Sequence, residues 1–235
     1  MRLSLTTAWV AAALISGGAP PPVAYAAEVQ SVRPDINVPY KNPDLNAEAQ
    51  DKSFTAENRE TYANRVEIAK AIGLKPGMTI ADVGAGTGIY EPGFSESVGP
   101  QGRVYAVDIA KPLLAFIDKK MKAAGIANVT TVLGDDKSTN LPPNSADVIF
   151  TSDVYHHFKY PQTILADIRR ALKSGGEFIV VDYDHLPGVT PPAILQHVRT
   201  DKKTVIAELA QAGFQPPEEA KISGFKSSFF LRFKK

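Results

Sequence analysis

Five short apolar runs, over residues 78–83, 103–108, 128–133, 146–151 and 177–183, alternate with stretches of helical periodicity. A run with no polar alternation is buried on both faces, so each reads as a strand inside a covered sheet. Between the runs, the segment after Gly88 is predicted to be a helix made short or bent by Pro92 and Gly93. Residues 113–124 form a helix stopped by Gly125, and residues 164–172 one closed by Lys173-Ser-Gly-Gly176. Upstream, Tyr62, Val66, Ala69 and Ile72 recur at helical spacing within residues 55–72, with Gly73 and Pro76 as the stop. Downstream, a loop over residues 185–192 precedes a helix over 203–212, ended by Gly213, and an alternating strand over 225–233 with Lys226 and Arg232 among its polar members. Strands alternating with helices require crossovers, hence an α/β three-layer sandwich whose mostly parallel sheet has helices on both faces. Ligands then collect at the carboxyl ends of the strands.

Two segments lie outside this domain of residues 55–235. Residues 27–54 are polar and broken by Pro34, Pro39 and Pro43, so an extended arm is expected, with residues 38–43 as a lid in the alternative reading. Arg2, the apolar stretch over residues 8–15 and the small-residue pattern Ala24-Tyr25-Ala26 make the three parts of a secretory signal peptide, with cleavage after Ala26. The stretch is shorter than the roughly 20 residues that a spanning helix needs, so no stable membrane insertion is expected after cleavage, and the expected address is the periplasm.

Composition narrows the partners. A chain of 235 residues that is 44% hydrophobic and 22% charged suits one globular domain. Residues 1–26 contain Arg2 and no acid, so the remainder balances 25 basic against 25 acidic residues and offers no basic field to nucleic acid. With no cysteine, a disulfide framework, a thiolate metal site and a thiol nucleophile are all excluded. Nothing in the sequence fixes the oligomeric state.

The stretch Ile80-Ala-Asp-Val-Gly-Ala-Gly-Thr-Gly88 is the chemical centre. A strand ending in three alternating glycines turns tightly into a helix and brings bare main chain to a ligand. Dinucleotide sites use G-x-G-x-x-G, whereas here Ile89 stands where the third glycine of that motif belongs, which favours a nucleoside ligand without a pyrophosphate. Asp108 ends the second strand 20 residues after Gly88.

Taken together, Ala81-Asp-Val-Gly-Ala-Gly-Thr-Gly88, Asp108, Gly134-Asp135 and Leu172-Lys-Ser-Gly-Gly-Glu-Phe178 resemble, in order, the class I S-adenosylmethionine-dependent methyltransferases, from about Arg59 to the C-terminus. Ser152-Asp-Val-Tyr-His-His-Phe158, with residues 168–176 and 199–214, is similar to the small-molecule branch that includes the quinone-biosynthesis C-methyltransferases. The resemblance implies a seven-stranded sheet with an antiparallel last strand, S-adenosyl-L-methionine as cofactor and a small-molecule methyl acceptor. By the same resemblance Asp82, Gly84, Ala85, Gly86 and Gly88 receive the methionine part. Asp108, followed by Ile109, holds the ribose hydroxyls, since a carboxylate offers two acceptors to a vicinal diol. Asp135 takes the adenine amino group, with Asp136 the competing choice.

His156 and His157 follow the fourth strand, where an acceptor pocket belongs, and imidazole has a suitable pKa for a base near neutrality. His156, Asp153 and Tyr155 are the catalytic candidates, with Tyr183 and His185 expected beside them. Asp153, Asp182 and Asp184 end strands four and five; solvation or capping is the ordinary fate of such acids, so no metal ion is expected on them. Two other readings stay open: a nucleoside-binding protein without turnover, and a Rossmann-type NAD(P)-dependent oxidoreductase, which the glycine spacing disfavours.

Overall fold

The computed structural model describes residues 30–235; the expected signal peptide lies outside the described residues. The strands are Thr79–Val83 (β1), Arg103–Asp108 (β2), Val129–Leu133 (β3), Ala146–Ser152 (β4), Leu172–Tyr183 (β5), Glu218–Ala220 (β6) and Ser228–Lys234 (β7). They form one seven-stranded sheet in the order β3-β2-β1-β4-β5-β7-β6. β1 to β5 run parallel, and β7 inserts antiparallel between β5 and β6. The strand order reverses between β1 and β4, which opens a crevice beyond their carboxyl ends.

The helices are Ala47–Phe54 (α1), Glu60–Ala63 (α2), Arg65–Ile72 (α3), Glu91–Val98 (α4), Lys111–Ala123 (α5), Pro161–Ala171 (α6), Pro192–His197 (α7) and Lys202–Gln211 (α8). Because successive strand residues face opposite ways, each central strand serves two cores. Ile80, Val104, Phe150 and Ile179 meet Ile68 and Ile72 of α3 and Phe94 and Val98 of α4, while Ala106 lies under Leu114, Ile117 and Met121 of α5. On the other face Ile149, Phe178, Val180 and Leu231 meet Ile164, Leu165 and Ile168 of α6 and Val205 and Leu209 of α8. The three layers are therefore closed by apolar packing on both sides. Among the described residues no helix is long and apolar enough to cross a membrane.

Several expectations need correction. The arm is not simply extended: Asn46 caps α1 by accepting from the Ala49 N–H at 2.9 Å, and a 3-10 turn covers Pro39–Lys41. Its proline spacing concealed a helix that buries little apolar surface of its own. The single helix expected over residues 55–72 is broken at Asn64, whose side chain donates back to the Glu60 carbonyl at 2.8 Å. Lys173-Ser-Gly-Gly176 belongs to β5 instead of a helix-closing turn, with a register shift against β4 between Ala146 and Val148. β6 and α7 were not anticipated, being too short to show a period. β7 starts at Ser228 instead of residue 225 because the preceding backbone is drawn to the carboxylate of Glu60, which accepts from the N–H groups of Lys226, Ser227 and Ser228.

That carboxylate ties the entry of β7 to α2 across the domain. Glu60→Ala strands those N–H groups and is expected to destabilise the protein by about 1–3 kcal/mol in urea denaturation, whereas Glu57→Ala, at an exposed position, changes it little.

Candidate active site

The crevice at the sheet's reversal point holds a cavity of about 220 Å³ lined from β1, β2, β4 and the N-terminal segment. The glycine turn forms its floor. Gly84, Gly86 and Gly88 all have positive φ, at 84°, 57° and 74°. Gly84 is also pressed by Val154: an added Cβ would lie 2.4 Å from a Val154 methyl, so here packing against the β4 loop excludes a side chain before any ligand is considered. Above Gly86 lies the ring of Phe54, at the end of α1. The Gly84 and Ala85 N–H groups both donate to the Val107 carbonyl, which fixes the turn to β2.

Three acids meet beside this turn. Asp108 ends β2 with one carboxylate oxygen accepting from the Gly86 N–H and the other from the Ala110 N–H, both at 2.9 Å. Burial pushes it up to about 6 despite those donors. Asp82 at the end of β1 is buried, and lies well above the usual carboxylate range through burial and the neighbouring Glu91 and Asp108. Glu91, at the start of α4, is fully buried with neither carboxylate oxygen hydrogen-bonded among the described residues, and burial pushes it to about 7. The Lys120 ammonium comes near but donates to the Thr87 and Gly88 carbonyls at 3.2 and 2.9 Å. Glu91 was missed in the sequence because an acid at a helix start is ordinarily a solvated cap; its run into Pro92 gave no sign of burial.

Of the two acids after β3, Asp135 lines the cleft while one of its oxygens accepts from the N–H groups of Lys137 and Ser138. Asp136 also lines the cleft, but both its oxygens are engaged by the protein. One oxygen accepts from Asn37 at 2.8 Å and the other from Lys41 and Lys159 at 2.6 and 3.2 Å, and these contacts hold it below the usual carboxylate range against the effect of burial. It is the anchor of the N-terminal segment. Through it residues 37–41 lie along the cleft, and Tyr40 meets the His157 ring edge-on at 5.4 Å. Ile109 lines the wall after Asp108.

The far end of the cavity is built by the loop after β4. Asp153 has φ 61°, strained for a residue with a side chain, and its carboxylate is paired with Arg59. It is not a free base; Arg59, which also lies over the Phe54 ring, was not among the sequence candidates. Tyr155 needs correction as a catalytic candidate. Its ring is fully buried beneath the loop and its hydroxyl donates to Glu208 at 2.7 Å, with Arg199 closing that pair. His156 does face the cavity, its Nδ1 2.9 Å from the Asp182 carboxylate. Burial alone would depress His156, but Asp182 and then Asp153 outweigh it and raise its pKa. Tyr183 lines the cleft whereas His185 is turned away to the Val198 carbonyl. Asp184 is spent on the N–H groups of His185 and Lys202.

Residues 81–180 match the family model of a methyltransferase domain. A ubiquinone/menaquinone biosynthesis C-methyltransferase of Cupriavidus taiwanensis is 31% identical over 117 residues, covering 49% of this chain and 47% of that one. A demethylmenaquinone methyltransferase of Geobacillus kaustophilus is 27% identical over 118 residues, 50% of each. The chain thus spans about half the length of the curated relatives it matches. A SAM-dependent methyltransferase of Aquifex aeolicus superposes with a TM-score of 0.70 at 26% identity, covering 80% of this chain and 98% of that one. Residues 81–180 thus resemble a methyltransferase domain, and the chain has the fold of the S-adenosylmethionine-dependent methyltransferases.

The buried acids give a pH signature with a definite sign. Glu91 titrates higher in the folded chain than unfolded, so the native state holds the extra proton and loses stability as pH rises from about 4.5 to 7. Glu91→Gln lacks that loss. In urea titrations the variant is expected to gain on the wild type by up to about 3 kcal/mol between pH 5 and pH 8; a gap that does not widen with pH would show Glu91 ionised or solvated.

Proposed function

We propose that this chain is an S-adenosylmethionine-dependent methyltransferase acting on a small, ring-bearing acceptor of the quinol or phenol type. One observation carries the cofactor: Asp82, Glu91 and Asp108 converge, buried, beside a glycine turn. Such a site disfavours the anionic pyrophosphate of a dinucleotide and gains from a ligand bearing an ammonium and a sulfonium. The residues fit that group: Asp108 presents acceptors to a ribose diol, Asp82 and Glu91 supply carboxyls that a bound cation would draw into the ionised form, and Gly84 to Gly88 supply bare main chain. When bound, the cofactor supplies an electrophilic methyl group already activated by its charge. The protein's own part is to hold the acceptor in line and exclude water, with Tyr40, Phe54 and Tyr183 as apolar walls. His156, oriented by Asp182, is placed to take a proton from an acceptor that must lose one. The relatives named for quinone methylation support the acceptor class.

The expected leader over residues 1–26 makes this an exported enzyme in the proposal, and N-terminal sequencing of the periplasmic fraction is expected to start at Ala27. In calorimetry on the chain from Ala27, S-adenosylhomocysteine is expected to bind and NADH not. Asp108→Ala weakens the first by about 1–3 kcal/mol. Methyl incorporation into a quinol and phenol panel, followed by mass spectrometry, tests turnover. Homocysteine-product binding with no transfer to any acceptor would favour the binding-protein reading, and NADH binding alone would end the proposal.

A further inference from the structure

Three of the four histidines in the chain meet at the acceptor end of the cavity. His156 and His157 follow β4 and His197 comes from α7, and one ligand nitrogen from each lies within 4.8 Å of the other two. Their ring centroids are 4.4, 5.0 and 5.2 Å apart. An imidazole bound to zinc at about 2.1 Å has its centroid roughly 3.2 Å from the ion, so three rings on one face of a tetrahedron stand about 5 Å apart. The observed spacing already approaches that arrangement.

The surroundings are those of ligating imidazoles. His156 has Nδ1 held by the Asp182 carboxylate, and His157 has Nδ1 2.9 Å from the Asn37 side-chain oxygen, so Nε2 is the nitrogen of each ring that an ion would use. Arg33 opposes a cation by its charge, but its guanidinium is spent on the carbonyls of Gln196 and His197, where it pins the end of α7. A second cluster, Asp153, His156 and Asp182, shares His156, but there Asp153 is paired with Arg59 and Asp182 with the His156 ring.

We propose that His156, His157 and His197 form a three-imidazole site for a divalent transition ion, Zn²⁺ being the reference case. Neutral nitrogen donors select such an ion over Mg²⁺ or Ca²⁺, and three ligands leave a position open to the cavity. His197 is exposed, so the ion enters from solvent. Binding of the ion does not depend on the methyltransferase reading. Its use does: with the ion bound His156 would no longer act as the base, and the open position would hold an oxygen of the methyl acceptor, whose proton the ion would acidify.

The test uses tag-free protein and Zn²⁺ alone, titrated in competition with a chromophoric chelator. A single ion per chain is expected. His197→Ala, a change on an exposed face, weakens uptake by about tenfold or more, as does His157→Gln, while His185→Ala leaves it unchanged. X-ray absorption of the loaded protein is expected to show three imidazole nitrogens. Uptake indifferent to His197→Ala, no stoichiometric uptake, or a spectrum of one imidazole with carboxylate oxygens would each overturn the site. S-adenosylhomocysteine calorimetry without metal separates the two ideas: lost zinc uptake with intact binding sinks only the site, and the converse sinks only the methyltransferase reading.

Discussion

The structure depends on holding three carboxylates out of water at the ends of two adjacent strands and the helix that follows them. Asp82, Glu91 and Asp108 are brought together because β1 and β2 are parallel neighbours and the glycine turn delivers α4 back over both. Burying ionisable groups so close disfavours their charged forms, and their pKa values rise accordingly. The fold sustains this cost with apolar packing on both faces of the sheet, where the central strands are fully enclosed. Buried carboxyls so placed would favour a cationic ligand over an anionic one.

The rest of the cleft is assembled from segments far apart in the chain. The N-terminal segment lies against the loop after β3 through Asp136, which collects Asn37, Lys41 and Lys159. This fastening places Tyr40 beside His157 and Phe54 over Gly86, so a stretch with little core of its own becomes a wall of the cavity. At the other end Arg59 draws on Asp153, where the backbone of β4 turns with positive φ. A strained residue held by an ion pair at a strand end is the sort of feature a functional site tolerates and a purely structural turn avoids.

The same loop explains why adjacent residues have opposite fates. Tyr155 points down into the packed layer under α8 and meets Glu208, while His156 and His157 turn toward the cavity. The short 3-10 turn Tyr155–His157 sets that division, because successive side chains leave it in different directions. His156 is then oriented by Asp182 from β5, the next strand in the sheet.

How much of this was legible in the sequence follows from range. Burial on both faces makes β1, β2, β4 and β5 continuous apolar runs, and positive φ in a tight turn calls for glycine, so the central strands, the layered α/β class and the turn at Gly84 to Gly88 are written locally. The acid at the end of β2 could be placed by counting. Partnerships could not: Arg59 and Asp153 are 94 residues apart, Asn37 and Asp136 are 99, and no local period encodes either. The sequence by itself determined which segments become strands and where the backbone must bend. Only the tertiary structure decided that Asp136 is a tether, that Tyr155 is buried, that Glu91 loses its water and that His197 joins His156 and His157, because each depends on which distant surface the folded chain brings alongside.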